Sequence, residues 1–195
     1  MVIFPLAIPK SLKMAFVTST LLIPNFAERN PSIFANGFSL VRRLIDDQGH
    51  DYREPAPFAP EITLAEALLR PTRIYVPACL DAVRSSLVKG LCHITGGGLI
   101  QNPPRVLPDD TLARIDFNAW PLPPLFNWLA QIGGINSIEM ARTFNCGIGM
   151  LAIVAKDKAA EAVAHFQAAG ETVWTIGSIE ATDGSPSVEL TGWEV

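Results

Sequence analysis

The sequence predicts an α+β fold in which helices pack on a mixed β-sheet, and its C-terminal quarter carries this prediction. Residues 147–154 form an apolar run whose density indicates a strand buried on both faces. Residues 158–169 form an alanine-rich helical segment that Gly170 ends. Two strand-like segments follow at residues 173–179 and 187–190. This order of strand, helix, strand and strand predicts an α+β domain with a mixed sheet.

Composition bounds the size of the fold and the class of partner. The chain has 195 residues, 49% of them hydrophobic, which is ample for one self-supporting domain or two small ones. Its net charge of -4 and its scattered basic residues argue against nucleic acid as the main partner. Cys79, Cys92 and Cys146 form no C-x-x-C pair, so a reducing, cytoplasmic setting is expected. Cys146 is either a reactive thiol or a small buried residue, and the second interpretation is favoured.

The first elements lie before and just after a proline-containing loop. Residues 15–23 are apolar or β-branched and predict a buried strand. A secretory signal is the weaker alternative, because no clean cleavage site follows, and the run is too short to span a membrane. Residues 24–31 predict a loop, and Asn36 and Gly37 mark a turn before a short helix. The apolar stripe of that helix comprises Phe38, Leu40, Val41, Leu44 and Ile45.

Prolines and a capping motif delimit the middle of the chain. Three prolines predict a loop over residues 48–60. Thr63 and Glu66 form a capping box at the start of a helix that ends before Pro71. Residues 73–76 predict a short strand, and a helical stripe ending at Gly90 follows it. The stripe comprises Leu80, Val83, Leu87 and Val88.

Four shorter elements complete the prediction. They are a brief helical turn ended by Pro103, a half-buried strand over 112–116, an amphipathic helix over 125–132 and a helix ending at about Arg142. Ser137 is the expected N-cap of the last helix.

The glycines Gly96, Gly97 and Gly98 are the most informative local feature. Without a Cβ, their backbone N–H groups can face a ligand closely, and a helix starting here would favour an anion such as phosphate. A tight turn between packed elements is the alternative, and it is favoured for a glycine triplet taken alone. Arg105 is either a bidentate phosphate ligand or a surface ion pair. His93 is either an acid–base group or, more commonly, a structural histidine.

The remaining polar and glycine-containing segments give weaker signals. Three widely spaced histidines and no clustered carboxylates predict no metal site built by this chain. The glycines within residues 145–149 permit either the close approach of a ligand or tight packing, and packing is slightly favoured.

Several segments together are more specific than any one of them. Residues 93–108 (HITGGGLIQNPPRVLP) match the pattern H-I-T-G-G-G-L-x-x-N-x-P-R-x-L-P. Residues 124–129 (PLFNWL) and 139–150 (EMARTFNCGIGM) resemble two further motifs, and residues 36–42 and 70–76 match in order upstream. With these motifs the chain resembles the aminoimidazole ribonucleotide synthetase family, also called phosphoribosylformylglycinamidine cyclo-ligase.

The resemblance implies a domain organisation and a reaction. Residues 32–195 would form the second domain of a two-domain enzyme, and residues 1–31 would be an atypical segment without a family counterpart. The family's first domain binds ATP with Mg²⁺, and nothing like its ATP-binding segment is found in this sequence. The family's enzyme phosphorylates the formyl oxygen of formylglycinamidine ribonucleotide, and a ring nitrogen then displaces the phosphate. The chain alone is therefore expected to bind neither ATP nor Mg²⁺ and to be inactive, with a separate ATP-binding domain as a candidate partner.

The resemblance also assigns candidate site residues. By analogy the glycine-rich loop would hold the ribose 5-phosphate of the substrate or part of ATP, with the nearby arginine in support. The candidate substrate- or phosphate-binding residues are Asn36, Gly37, Thr95, Gly96, Gly97, Gly98, Asn102 and Arg105. No catalytic residue is assigned.

Two departures from the family pattern leave alternatives open. Of the family's G-x-H-S-N-G stretch only the final Asn-Gly remains, and Ser32, Phe34 and Ala35 occupy the aligned positions of the glycine, histidine and serine. Gln101 stands where the family commonly has Glu. The alternatives are a non-catalytic phosphate- or nucleotide-binding or vestigial module, and a related ATP-dependent enzyme of the same superfamily.

Overall fold

The computed structural model describes the backbone of residues 19–25 and the whole of residues 37–192. Asn36 and the aligned positions Ser32, Phe34 and Ala35 lie outside the described residues, as does the predicted start of the first strand. The helices in the described part are α1 (Phe38–Asp47), α2 (Leu64–Leu68), α3 (Val76–Arg84), α4 (Gly98–Gln101), α5 (Pro124–Gly133), α6 (Ser137–Thr143) and α7 (Ala159–Ala168). The strands are β1 (Ser19–Asn25), β2 (Pro55–Ala56), β3 (Ala59–Thr63), β4 (Gly90–His93), β5 (Thr111–Asp116), β6 (Met150–Ala155), β7 (Thr172–Ala181) and β8 (Ser187–Thr191).

The main sheet is mixed, as the sequence predicts. Its strand order is β4-β6-β1-β7-β5-β8, and every neighbouring pair is antiparallel except β5 and β8, which are parallel. Helices cover the sheet, so the predicted α+β class is confirmed. Strands β2 and β3 form a separate small hairpin inside the segment predicted to be a loop.

The first strand lies in the interior of the sheet, between β6 and β7. It continues through Pro24 and Asn25, where the sequence predicts a loop. The pairing with β6 ends at Leu22, whereas Pro24 pairs only with Val173 of β7. Proline is tolerated there because one side of the strand has no partner that needs its missing N–H. A strand from the segment predicted to be atypical thus completes the sheet, while the domain limits 1–31 and 32–195 stay a prediction.

Strand β6 is buried on both faces, as predicted. Leu151 and Ile153 belong to the larger hydrophobic core, on the face that carries α1, α5 and α6. Ala152 and Val154 point to the opposite face and pack in a smaller core with residues of α3 and α7. Successive residues of a strand alternate between faces, so an unbroken apolar run is what a central strand between two helical layers requires.

The segment before α3 corrects two predictions. Residues 73–76 do not form a strand; the chain is irregular up to Tyr75, and Val76 begins a helix. The proline that follows Val76 occupies the first turn, where its fixed φ and missing N–H suit a helix start. The predicted apolar stripe is also wrong in part, because Leu80 and Val83 are 43% and 50% exposed. The buried face is made of small residues, which let α3 pack closely against α7.

The two predicted helix caps have different outcomes. The Thr63 capping box is confirmed: the Thr63 hydroxyl accepts from the Glu66 N–H at 3.2 Å, and the Thr63 N–H donates to the Glu66 carboxylate at 2.8 Å. The predicted cap at Ser137 is wrong by one residue. Asn136 is the N-cap of α6, and its side-chain oxygen accepts from the Glu139 N–H at 2.9 Å. Within the described residues, no helix has both the length and the apolar character to cross a membrane.

Candidate phosphate-binding site

The glycine-rich loop joins the end of β4 to the short helix α4. The Gly98 N–H donates to the Thr95 carbonyl at 3.0 Å and closes the turn. Gly97 and Gly98 have φ values of 101° and 55°, a region in which residues with a Cβ are strained. Helix α4 is one turn long and ends before Pro103, so the predicted brief helical turn is confirmed.

The buried side chain of Asn102 stabilises this loop from the interior of the protein. Its side-chain amide lies 2.8 Å from the carbonyl oxygen of Gly98, 3.1 Å from that of Thr95 and 3.3 Å from that of Gly96, and it donates to all three. Its side-chain oxygen accepts from the Thr95 hydroxyl at 3.2 Å. Asn102 is only 3% exposed. These contacts make Asn102 a residue that shapes the loop from within.

Peptide geometry turns two N–H groups of the loop outward. In a trans peptide unit the C=O group and the following N–H group point in opposite directions. The Thr95 and Gly96 carbonyls point at the buried amide of Asn102, so the N–H groups of Gly96 and Gly97 point away from it. Gly96 is exposed, and within the described residues neither N–H group donates to an acceptor. Two adjacent outward N–H groups form the kind of concavity that binds anions.

Arg105 places a positive charge next to the glycine-rich loop, where it contacts Asn102 and the Gly96 carbonyl. One terminal nitrogen donates to the Asn102 side-chain oxygen at 3.3 Å, and the other donates to the Gly96 carbonyl at 3.4 Å. The side chain is exposed, and no carboxylate of the described residues forms an ion pair with it. A guanidinium has five N–H donors, so these two bonds leave donors for a ligand.

Two candidate glycines pack against the end of α6. A Cβ on Gly98 would lie 2.0 Å from the Ala141 carbonyl oxygen and 2.7 Å from that of Phe144. A Cβ on Gly37 would lie 2.5 Å from the Phe144 ring. The fold therefore brings Gly37, the glycine-rich loop and the start of the 139–150 segment together. For Gly98, the interpretation as a tight turn between packed elements is confirmed, because there is no space for a Cβ at this position. The N–H groups of Gly96 and Gly97 can still point outward.

Comparison with known proteins identifies the family. A family model described as "AIR synthase related protein, C-terminal domain" matches residues 21–188. The chain belongs to this family. Phosphoribosylformylglycinamidine cyclo-ligases of Burkholderia cenocepacia (strain HI2424) and Burkholderia orbicola (strain AU 1054) are each 53% identical to it over 150 residues. The match covers 77% of this chain and 42% of each relative, so the chain spans less than half their length.

Solved structures share the fold at low sequence identity. The hydrogenase maturation protein HypE of E. coli has a TM-score of 0.60 and 17% identity, and the match covers 98% of this chain and 52% of that one. Thiamine-monophosphate kinase from Stenotrophomonas maltophilia K279a has a TM-score of 0.54 and 14% identity, over 93% of this chain and 52% of that one. Proteins with different names thus share this fold. The sequence identity of this chain to the cyclo-ligases is much higher than its identity to these solved structures.

The second family motif, residues 139–150, uses its glycines for packing. A Cβ on Gly149 would lie 1.6 Å from the Tyr75 hydroxyl oxygen, and a Cβ on Gly147 would lie 2.7 Å from Pro123. The packing interpretation of these glycines is therefore confirmed, and the residues packed on them precede α3 and α5. Sequence reasoning missed Tyr75, because no local pattern links a tyrosine to a glycine more than seventy positions later.

The cysteines are buried and protonated at neutral pH. Burial raises the pKa of the Cys146 thiol far above its ordinary value, and the side chain is fully buried. Burial raises the pKa of Cys92 to about 12 and that of Cys79 to about 11. The thiolate is the reactive form of cysteine, so the interpretation of Cys146 as a small buried residue is confirmed over that of a reactive thiol.

His93 lies at the edge of the loop and meets Tyr75. The two rings are edge to face, with centroids 5.8 Å apart, and His93 is exposed. Partial burial lowers the pKa of His93, so its neutral form predominates at pH 7. Within the described residues, no group of three or more His, Cys, Asp and Glu side chains is placed to hold a metal ion.

Proposed function

We propose that this chain is the C-terminal domain of a phosphoribosylformylglycinamidine cyclo-ligase, and that its glycine-rich loop binds a phosphate group of formylglycinamidine ribonucleotide. The outward N–H groups of Gly96 and Gly97, held by Asn102, carry the proposal. The 53% identity to named cyclo-ligases supports the choice of substrate. Ring closure in the cytoplasm, as a step of purine synthesis, is the reaction that this assignment implies for the complete enzyme.

The candidate residues divide into two roles under this proposal. The N–H groups of Gly96 and Gly97 and the guanidinium of Arg105 would contact the phosphate. Asn36 lies outside the described residues. The other candidates would position these contacting groups. They are Gly37, Thr95, Gly98 and Asn102.

ATP and Mg²⁺ would be held by the part of the enzyme that lies outside the match. A related fold, that of hydrogenase maturation protein HypE, has been solved in complex with ATP, with a TM-score of 0.55 to this chain. The described residues contain no cluster of carboxylates suited to Mg²⁺. This domain would contribute the phosphate loop and the wall of the site beside it.

We expect no turnover by the chain alone, because transfer of a phosphoryl group needs Mg²⁺ and ATP to be positioned together. The measurement is ADP release in the presence of ATP, Mg²⁺ and formylglycinamidine ribonucleotide. Release that depends on the ribonucleotide would contradict this expectation. A full-length relative from Burkholderia cenocepacia is the positive control.

Binding is the direct test of the phosphate loop. We expect the melting temperature to rise with formylglycinamidine ribonucleotide and to change little with AMP, ATP or inorganic phosphate, since a ligand that binds the native state stabilises it. Arg105→Met keeps the side-chain stem and should weaken ribonucleotide binding about tenfold or more, because a charge-assisted hydrogen bond contributes about 1.5–3 kcal/mol. Arg53→Met, on an exposed loop, is the matched control.

Two outcomes would contradict the proposal. If Arg105→Met and the unchanged chain bind the ribonucleotide equally well, Arg105 does not contact the phosphate. The absence of a shift with any ligand would favour a non-catalytic or vestigial module. Gly97→Asp is a less clean probe, because a Cβ at Gly97 would lie 2.7 Å from the Gln101 Cβ and distort the loop whatever its charge.

A further inference from the structure

One face of α3 is apolar and exposed. Val76, Leu80 and Val83 follow one another at helical spacing and are 59%, 43% and 50% exposed, and the preceding Ile74 is 77% exposed. These four residues form the α3 strip. Single exposed apolar residues are common on protein surfaces, but a contiguous patch marks an interaction surface.

A buried carboxylate lies in the groove beside the α3 strip. The groove is lined by Ile74 and Leu80 of the strip and by four charged residues, Arg73, Asp81, Arg84 and Glu171. The Glu171 side chain is only 4% exposed, and one carboxylate oxygen lies 3.7 Å from the Arg73 guanidinium. Its other oxygen is buried and has no hydrogen-bond partner among the described residues. Burial of an unsatisfied acceptor is unfavourable, so a donor from outside would stabilise this arrangement.

The α3 strip adjoins the phosphate loop through Tyr75. Tyr75 lies between two residues of the strip, its ring meets His93, and its hydroxyl group fills the space left by Gly149. The carbonyl of Gly149 in turn accepts from the N–H of Ile94, immediately before the loop. A partner that covers the Tyr75 end of the strip would therefore reach the edge of the loop, next to His93.

We propose that the α3 strip is the docking surface for the part of the cyclo-ligase that lies outside the matched region. The match with this chain covers 42% of each relative, so each relative has further sequence outside it. Under the proposed function, that further part and this domain build one active site and so meet at a common surface. The partner's docking face is apolar where it covers the strip, and it supplies an N–H donor to the free oxygen of Glu171. This proposal rests on the proposed function for the identity of the partner.

The test is association of the 195-residue chain with the unmatched part of the Burkholderia cenocepacia cyclo-ligase, titrated by calorimetry. That part is produced as a separate polypeptide, and circular dichroism and a cooperative melting transition first establish that it is folded. We expect the unchanged chain to bind it. The double variant Leu80→Glu/Val83→Glu should bind at least about tenfold more weakly, because charged side chains oppose burial of an apolar face. Both positions are solvent-exposed, so the variant should fold. Leu69→Glu is the matched control, since Leu69 is 56% exposed and lies outside the strip.

A second variant tests the carboxylate. In Glu171→Gln the amide oxygen would stay with the Arg73 guanidinium, so the N–H₂ group would face the donor of the partner. Two donors would then oppose each other, and association should weaken. Equal binding by the strip variant and the control, or no binding by the unchanged chain, would overturn the proposal. If the chain alone forms a dimer and the strip variant is monomeric, the strip binds a second copy of the chain, and the proposal is overturned as well. The ribonucleotide-induced melting shift should persist in the strip variant, so failure of docking and failure of the phosphate site are distinguishable.

Discussion

Gly98→Ala is expected to lower the free energy of unfolding by roughly 2–5 kcal/mol. The added Cβ would lie 2.0 Å from the Ala141 carbonyl oxygen and 2.7 Å from that of Phe144, and both atoms belong to the backbone. Backbone atoms at the end of α6 cannot move aside as a flexible side chain can, so α4 and α6 must separate. Urea denaturation followed by tryptophan fluorescence measures the loss.

Gly134→Ala separates the two causes of that loss. Gly134 has a φ of 56°, almost the same as the 55° of Gly98, but a Cβ there would meet nothing within 4 Å. The control therefore carries only the strain of a left-handed backbone, roughly 1 kcal/mol. Equal losses in the two variants would show that the contact between Gly98 and α6 is not tight in solution. A larger loss at Gly98 would establish the packing contact.

Asn102→Asp is expected to have the second large effect, a loss of roughly 3 kcal/mol in the free energy of unfolding. The substitution replaces the donating amide with a carboxylate oxygen that faces the carbonyls of Thr95, Gly96 and Gly98 at 2.8–3.3 Å. Both the lost donor and the buried negative charge oppose the present loop. The ribonucleotide-induced melting shift should disappear as well, because the outward N–H groups depend on the inward carbonyls.

The pH dependence of this variant gives an independent check. Burial raises the pKa of the new carboxyl in the folded state above its unfolded value of about 4. Its protonated form is thus the better tolerated, so stability should partly return as the pH falls from the raised folded-state pKa toward about 4 and be lost as the pH rises through that range. Asn136→Asp is the matched control, because the N-cap side chain acts there as an acceptor and Asp serves as well as Asn. A loss at Asn136 equal to that at Asn102 would contradict the role assigned to the Asn102 amide.

The sequence by itself determined the features whose causes lie within a few residues. Thr63 and Glu66 cap a helix because the two groups that pair are three positions apart. Gly170 ends α7, and the unbroken apolar run of β6 reports burial on both faces. The motif around the three glycines identified the family for the same reason: its residues are contiguous and can be read without the fold.

Tertiary structure alone decided the roles that depend on distant neighbours. A glycine's preference for positive φ is local, but the space it needs is set by what packs on it, as the Ala141 carbonyl does on Gly98 and Tyr75 on Gly149. The buried face of α3 was likewise decided by close packing on α7, which favours small residues over the larger apolar ones that periodicity selects. Asn102 became the centre of the loop because the chain turns back on itself and brings three carbonyls to one amide. Local patterns encode backbone preference and hydrophobicity, whereas steric fit and hydrogen-bond partnership arise only when separate segments meet.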